Sequence, residues 1–463
     1  MRKSLIILEI LLMLSLGILV SAVTTVDAQH ERITITEETL FGDPAAAEGL
    51  QISTHVHDQH RLFWDTTYDA GPDPRPETVF TYHDQRIYEQ WESVGSFSLQ
   101  PSHLNSGFSG IVDLEAEMQH QQEFSDSPVL WLPVKDVADR TKANEERVEQ
   151  IRLSDYYDWF PMGYLFDPQS GTRYYDDENN LLQFFEKNFP IPVPEDLELT
   201  VTVSKDEAGR IYNVDYYETK GMMLNTYSNA VVLEDGVFFG MFGEADFSHF
   251  AQGYGLYYMP VEKDETITTL NTRTRELIPK VYLKQQCENI YPMNPADCEE
   301  GSLYLSADGQ QVYAFTKEQG QVRLTVIDSH TRQILQQIDT GNAHTPMVWC
   351  QGEVVAIVTG DEAWENFRLQ IWLVKDGLLQ PWLDTEMYRF SDESVNWYVN
   401  PVIVFDGQRL AMVRYHDHYN YASHRVLIYD SSGLLYAGDY HHSGDDLYDN
   451  LQTWDGGLQV RWK

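Results

Sequence analysis

Apolar and polar positions alternate between residues 301 and 341 in a pattern that predicts four short antiparallel strands. In the third strand, Val322, Leu324 and Val326 are separated by single polar residues, which is the period of a strand with one buried face. Tight turns separate the strands, which are predicted at Ser302–Leu305, Gln311–Thr316, Gln321–Asp328 and Ile334–Asp339. Four strands joined by tight turns in roughly 40 residues are typical of one blade of a β-propeller.

The same pattern recurs around this unit, although its spacing is irregular. One further set of four strands precedes it and two sets follow, at 230–233, 237–242, 255–261 and 266–270, then 346–350, 354–359, 367–374 and 378–383, then 402–405, 410–415, 425–429 and 434–437. The uninterrupted apolar run from Val354 to Val358 fits an inner strand that is covered on both faces. We therefore predict an all-β fold, a β-propeller of roughly six to eight four-stranded blades over residues 29–463.

Helical patterning interrupts the strands once. Residues 177–188 carry apolar residues at helical spacing and are followed by three prolines that would end a helix, at 190, 192 and 194. A charged segment at 134–148 fits either a short helix or a long loop, and residues 197–204 and 210–217 predict a hairpin. The pattern therefore predicts one short helical insertion, near 177–188, in the β-domain.

The turn that begins at Ser306 carries a family resemblance. The run Ser306-Ala307-Asp308-Gly309-Gln310-Gln311-Val312-Tyr313-Ala314, followed by Val326-Ile327-Asp328, resembles the blade motif of bacterial extracytoplasmic β-propellers of the YVTN and TolB type. In that motif an Asp-Gly pair makes the turn and the apolar run makes the buried strand. Asp-Gly pairs recur at 235–236, 406–407 and 455–456. The resemblance implies an architecture and leaves the activity open.

The first 28 residues have the pattern of a targeting segment. Basic residues at 2 and 3 precede a mostly apolar run from Leu5 to Val23, which at roughly 20 residues is long enough to span a bilayer. Small residues at 20–22 and 26–28 fit a cleavage site. A cleaved signal peptide and a retained signal anchor both fit, so we expect an extracytoplasmic domain that is either secreted or held by a single membrane pass.

The charge of the chain narrows the range of partners. Asp and Glu number 72 against 32 Lys and Arg, which gives a formal net charge of −40. Such a surface repels phosphate backbones, and it disfavours docking on anionic lipid headgroups. We therefore expect no nucleic-acid partner, and contact with the membrane only through the N-terminal segment.

Three cysteines occur in the sequence. Cys287 and Cys298 flank a proline-containing loop and, in an exported protein, are predicted to form a disulfide. Cys350 then remains as a buried thiol. The alternative is that all three cysteines are reduced.

The sequence carries no common enzyme signature. Nucleophile-elbow, Walker, Rossmann, His-Glu-x-x-His and EF-hand patterns are absent. Histidines cluster at 55, 57 and 60 and again at 416, 418, 424, 441 and 442, but no Cys or carboxylate spacing around them matches a metal site. We therefore predict no metal and no cofactor.

Loop length is the feature that points to function. The turns at one end of the predicted blades are short, whereas the loops at the other end are long, at 243–253, 361–366, 384–400, 417–423 and 440–450. These loops carry aromatic residues that would offer a binding surface, namely Phe247, Trp364, Trp397, Tyr398, Tyr419 and Tyr421. The alternative is that the aromatic side chains pack within their own loops.

We therefore predict an exported or membrane-anchored propeller that binds a small molecule, a glycan or a protein through its long-loop face. Two alternatives remain, an extracellular carbohydrate-active hydrolase or lyase and a structural component of the cell envelope. Binding is favoured over catalysis because no catalytic signature is present.

The ends of the chain predict how the fold closes. The sequence finishes with only two strands of a blade, at 450–454 and 458–462. A propeller without an open edge needs strands from both termini in one blade. We therefore predict that residues 32–36 pair in the same blade as the C-terminal strands.

Overall fold

The computed structural model describes residues 12–18, 20–21, 24, 33–58, 60–87, 95–117, 129–168, 181–220, 226–271, 277–296, 298–341, 344, 346–360, 367–388, 401–417, 420–443 and 452–463. These residues divide into two compact units, Met1–Trp91 with Met347–Lys463, and Glu92–Pro346. Each unit has its own sheets and its own hydrophobic core.

Strands dominate both units. The strands are β1 (Ile35–Gly42), β2 (Leu50–Asp58), β3 (Leu62–Asp69), β4 (Glu77–Tyr82), β5 (Ser96–Pro101), β6 (Asn105–Val112), β7 (Glu146–Arg152), β8 (Met162–Asp167), β9 (Glu198–Lys205), β10 (Ile211–Lys220), β11 (Thr226–Val232), β12 (Gly236–Gly243), β13 (Gly255–Leu270), β14 (Leu277–Leu283), β15 (Glu288–Pro292), β16 (Cys298–Leu305), β17 (Gln311–Glu318), β18 (Gln321–Asp328), β19 (Ile334–Asp339), β20 (Met347–Gln351), β21 (Val354–Gly360), β22 (Phe367–Lys375), β23 (Leu378–Glu386), β24 (Val402–Phe405), β25 (Leu410–Asp417), β26 (Asn420–Asp430), β27 (Gly433–His442) and β28 (Gln452–Trp462). The helices are α1 (Trp131–Arg140) and α2 (Leu181–Asn188), with 3₁₀ turns at Pro44–Ala47 and Leu153–Asp155.

The predicted blade at 301–341 is confirmed as the sheet β16-β17-β18-β19 of the second unit. Its first turn explains the resemblance to propeller blade motifs. The Ser306 hydroxyl donates to Asp308 Oδ1 at 2.7 Å and accepts the Gln311 N–H at 2.9 Å, and Gly309 takes a positive φ of 72°. The Ser-Asp-Gly motif thus closes a turn, so the resemblance at the level of one blade is supported and its role here is structural.

The described residues of the first unit form three antiparallel sheets. Two of them follow the blade order expected from the sequence, β20-β21-β22-β23 and β24-β25-β26-β27. Apolar residues of both sheets meet in one core, to which the first sheet contributes Val358 and Ile371 and the second contributes Leu427. The all-β class is therefore confirmed, and these sheets have the strand order of propeller blades.

Both termini contribute to the remaining sheet of the first unit, but the pairing differs from the prediction. The C-terminal β28 is a single strand that pairs with β2, in the order β28-β2-β3-β4. Residues 35 and 36 instead begin β1, which pairs with β27 and adds a fifth strand to the β24–β27 sheet. The expected pairing of residues 32–36 with the C-terminal strands is therefore wrong. The reason is that β2, which follows β1 closely in the chain, supplies the N-terminal partner of β28.

The second unit contains sheets that depart from blade order. The sheet β11-β12-β13-β14 is a blade-like meander, and β15 also pairs with β13. Strands β5 and β8 form a two-stranded sheet, whereas β6, β10, β9 and β7 form a sheet in that non-sequential order. The hairpin predicted at 197–217 is confirmed as β9 and β10 of this last sheet.

Helices α1 and α2 both lie in the second unit. The predicted helix at 177–188 is confirmed from Leu181 to Asn188, while residues 177–180 lie outside the described part of the chain. The first part of the charged segment at 134–148 is helical, because helix α1 begins before it at Trp131 and ends at Arg140. Its apolar residues Trp131, Val134 and Val137 are buried, and Trp131 stacks on Phe108 of β6.

At the N-terminus, residues 12–18, 20–21 and 24 are helical. Within the part of the chain that the structure describes, no helix is both long enough and apolar enough to cross a membrane.

Candidate functional site

Most of the aromatic residues predicted to bind lie outside the described residues. This applies to Trp364, Trp397, Tyr398 and Tyr419, and Tyr421 lies in β26 with a side chain that is also outside the description. Their assignment to a binding surface therefore stays a prediction.

The loops that carry these residues are placed by the strands on either side. Residues 361–366 join β21 to β22, and residues 387–401 follow β23. Since neighbouring strands are antiparallel, both segments leave the same end of this sheet. The predicted long loop at 417–423 is wrong, because β25 extends to Asp417 and β26 begins at Asn420.

The loop between β12 and β13, at 244–254, is fully described, and it corrects the role of Phe247. The Phe247 side chain is 1% exposed, stacks on Tyr254 at a ring separation of 5.0 Å and contacts Phe250 at 5.3 Å. Phe250 in turn meets Phe189 edge to face at 5.1 Å. Phe247 is therefore part of the core of its own loop, because the surrounding aromatic rings exclude water from it.

The outer side of the same loop carries polar residues beside an exposed tryptophan. Trp159 is 44% exposed, and its ring meets the His249 ring edge to face at a centroid distance of 5.1 Å. His249 Nε2 lies 3.5 Å from Asp246 Oδ2, and both side chains are about half exposed, at 47% and 53%. Trp159, His249 and Asp246 therefore form one surface, which we call the Trp159 surface.

Backbone hydrogen bonds hold the Trp159 surface in place. Phe160 N–H donates to Ile191 O at 2.9 Å, and Val193 N–H donates to Asp158 O at 3.1 Å. The loop at 244–254 is tied to the end of α2 by Ala251 N–H, which donates to Asn188 O at 3.0 Å. The surface is thus anchored by its backbone and by the aromatic core beneath it.

Ionisation of Asp246 is favoured by its neighbours. Hydrogen bonds from the Ser248 hydroxyl and from its N–H lower the pKa of Asp246, with a smaller contribution from His249. The carboxylate is therefore charged at neutral pH and accepts hydrogen bonds. Sequence analysis missed Trp159, whose only signal is a tryptophan that follows the acidic, non-periodic stretch Asp155–Asp158.

Histidines gather on one face of the β28-β2-β3-β4 sheet in the first unit. His55 Nδ1 contacts Asp65 on β3 and stacks on Phe63 at 5.2 Å, while His83 meets Phe63 edge to face at 5.3 Å. His57 is 1% exposed, and its Nδ1 accepts the His60 N–H at 3.2 Å. The structure therefore brings together the three histidines that the sequence grouped and adds His83.

These rings form a packed cluster around a phenyl group. Burial lowers the pKa of His57 to about 4, with smaller contributions from the nearby His60 and His55, so the His57 ring is neutral at pH 7. Among the described residues, no group of three or more His, Cys, Asp or Glu side chains is arranged to hold a metal ion. Phe63 contacts the rings of His55, His57 and His83, so the histidines pack around it.

A second pair of histidines is buried between two sheets of the first unit. His424 Nδ1 shares a hydrogen bond with the Tyr68 hydroxyl at 2.9 Å, and His442 Nε2 lies 3.5 Å from Thr66 Oγ1. Both imidazoles are buried, which lowers the pKa of His442 to about 4 and that of His424 to about 3. These neutral rings join strands of different sheets, so we assign them a structural role.

The predicted disulfide between Cys287 and Cys298 stays a prediction. Cys287 and Cys350 are free thiols, and the side chain of Cys298 lies outside the described residues. Burial raises the pKa of Cys287 and of Cys350 to about 12, so both thiols stay protonated at neutral pH. The Cys287 thiol is therefore a packing group here.

Comparisons with known proteins bear on the fold alone. No family model and no curated protein matches the chain. Similar solved structures include a putative 6-phosphogluconolactonase from Bacteroides fragilis, which is 9% identical with a TM-score of 0.30 and aligns over 90% of this chain and 100% of its own.

Two further similar structures are TolB from Acinetobacter baumannii and the β-propeller domain of Cps50 (Swd1) from Myceliophteria thermophila. TolB is 10% identical with a TM-score of 0.23, over 84% of this chain and 63% of its own. The Cps50 domain is 14% identical with a TM-score of 0.21, over 52% of this chain and 82% of its own. Likeness at this level supports no transfer of function, so the function has to be argued from the residues of this chain.

Proposed function

We propose that this protein is an exported binding protein, with blade-type sheets, that engages a ligand or a protein partner through the long loops at the ends of its strands. The arrangement of buried and exposed residues in the loop at 244–254 supports this proposal. Its aromatic residues Phe247 and Phe250 form a rigid core, and its polar residues Asp246 and His249 remain half exposed beside Trp159. A loop that is ordered by its own core presents its outer residues at little entropic cost on binding.

Loop lengths in two sheets support the same proposal. In the β20–β23 sheet, two-residue turns at 352–353 and 376–377 contrast with 361–366, and in the β11–β14 sheet residues 233–235 contrast with 244–254. In the first unit, the loop residues Trp364, Trp397 and Tyr398 are proposed to extend the binding surface, together with Tyr419 and Tyr421 at the hairpin between β25 and β26. Loops on a rigid scaffold are where binding residues concentrate.

The test is to replace Trp364, Trp397 and Tyr419 singly by alanine in the exported protein. Binding to a printed array of oligosaccharides and to a library of extended peptides would be measured together with the melting temperature. Loss of a bound species with melting preserved supports the proposal. If the variants melt at a lower temperature and the parent protein binds nothing on the array or in the library, these aromatic residues are loop cores and the proposal is wrong.

A further inference from the structure

We propose that the Trp159 surface is a binding subsite for a neutral pyranose sugar. This inference rests on the proposed binding function and names the ligand class of one site. It assigns a role to a residue, Trp159, that the loop pattern of the sequence did not select.

The shape of the site fits a sugar ring. An indole face is large, flat and apolar, and it can stack on the face of a pyranose that presents C–H groups. Trp159 is 44% exposed although two backbone hydrogen bonds fix the segment on which it lies. The ring is also restricted by its contact with His249, and a ligand that covers it removes apolar surface from water.

Hydrogen-bonding groups lie beside the indole ring. The His249 ring touches Trp159, and the Asp246 carboxylate lies 3.5 Å beyond His249 Nε2. A carboxylate accepts hydrogen bonds from hydroxyl groups, and an imidazole donates at one nitrogen and accepts at the other. A sugar ring with an apolar face and a rim of hydroxyls matches this combination of an aromatic ring and neighbouring polar groups.

Charge decides between classes of ligand. Ionised Asp246 and the net charge of −40 disfavour sugar acids and phosphorylated sugars. A basic peptide would use the carboxylate as a counter-charge, but Asp246 Oδ1 already accepts the Ser248 N–H at 3.0 Å and Oδ2 lies near His249. Asp246 is also 53% exposed, so an ion pair with a basic group would add little, while its remaining acceptor positions can still bind hydroxyl groups.

The test uses the whole chain and a printed array of neutral, amine-bearing and acidic oligosaccharides, followed by calorimetric titration with the best neutral ligand. Trp159→Ala is expected to weaken binding about tenfold or more, which corresponds to about 1.4 kcal/mol. Trp159→Phe should keep part of the affinity, and Asp246→Asn should reduce it less than Trp159→Ala does. Tyr212→Ala is the matched control, because Tyr212 is an aromatic residue of the same unit with 46% exposure.

The outcomes separate this inference from the proposed function. If Trp159→Ala lowers the melting temperature, the test relies on the binding affinities of Trp159→Phe and Asp246→Asn, because both substitutions preserve most of the packing. A parent protein that binds a sugar, or a protein, with equal affinity in Trp159→Ala overturns the subsite and leaves the proposed function standing. If the parent protein retains basic peptides and binds no neutral sugar, the sugar assignment is overturned. If it binds neither class of ligand, both the subsite and the proposed function are overturned.

Discussion

The Nδ1 atom of His424 and the hydroxyl oxygen of Tyr68 lie 2.9 Å apart, although 356 positions separate the two residues in the sequence. His424 lies on β26 and Tyr68 on β3, so the hydrogen bond joins two sheets of the first unit. Both side chains are buried at this junction. A buried polar pair of this kind stabilises the fold only while both partners are present.

Tyr68→Phe is expected to lower the free energy of unfolding by about 1–3 kcal/mol, because it removes the hydroxyl that pairs with the buried His424 Nδ1. Urea unfolding followed by circular dichroism would measure the change. Tyr82→Phe is the control, since Tyr82 is 66% exposed on β4, and it should change the value by less than about 0.5 kcal/mol. Equal effects of the two substitutions would contradict the assignment.

Acid should destabilise the first unit because its buried histidines are neutral. The pKa of His442 is lowered to about 4 and that of His424 to about 3, from 6.5 for an exposed histidine. Between pH 6.5 and about 4 the unfolded chain binds protons that the folded chain does not, so stability falls as the pH falls through this window.

The measurement for this prediction is the melting temperature from about pH 7.5 to about pH 4, the range in which the unfolded histidines titrate. His424→Gln should flatten the profile, because one of the groups that titrate on unfolding is gone. His441→Gln is the matched control, since the neighbouring His441 side chain is 41% exposed. If the melting temperature of the parent protein and that of His424→Gln depend on pH in the same way, protonation of His424 is not a cause of the acid sensitivity.

Arg425 and Asp439 form a bidentate ion pair with side chains only 6% and 5% exposed, and both N–O distances are 2.7 Å. Arg425→Met should cost about 3–5 kcal/mol, because it removes the counter-charge of a buried carboxylate. Thermal unfolding would measure the loss, and the double variant Arg425→Met with Asp439→Leu should recover much of it. The exposed pair Arg75–Asp73 provides the control, and Arg75→Met should cost less than about 1 kcal/mol.

Deletion of residues 458–463 should destabilise the first unit by at least about 3 kcal/mol, because it removes buried Leu458 and exposes the edge of β2. Trp462 also contributes, since its indole N–H donates to Val404 O at 3.3 Å and Arg409 lies 4.1 Å above its ring. The melting temperature is the readout. Deletion of Lys463 alone removes a surface ion pair with Asp69 and should have little effect, and similar melting of the two truncations would contradict the role of β28.

Cys287 and Cys350 should resist alkylation in the native protein, because burial raises the pKa of both thiols to about 12 and keeps them protonated. Iodoacetamide labelling followed by mass spectrometry is expected to modify both cysteines only after unfolding. Peptide mapping without reduction should find Cys287 unlinked. A peptide that joins Cys287 to Cys298 would show that the protein forms the bond predicted from the sequence.

Local features of this protein could be predicted from its sequence. The four strands at 301–341 follow from period-two alternation and an Asp-Gly turn, both of which act over a few residues. Helix α2 follows from helical spacing and the prolines after it, and the β9–β10 hairpin follows from two alternating runs around a polar turn.

Long-range pairing was decided only by the tertiary structure. Alternation shows that a strand has a buried face but does not specify its partner, so it predicts neither the pairing of β1 with β27 nor the order β6-β10-β9-β7. The direction of a loop side chain depends on what packs beneath it. Phe247 therefore turned inward against Tyr254, while Trp159 met His249 at a surface that no local pattern of the sequence encodes.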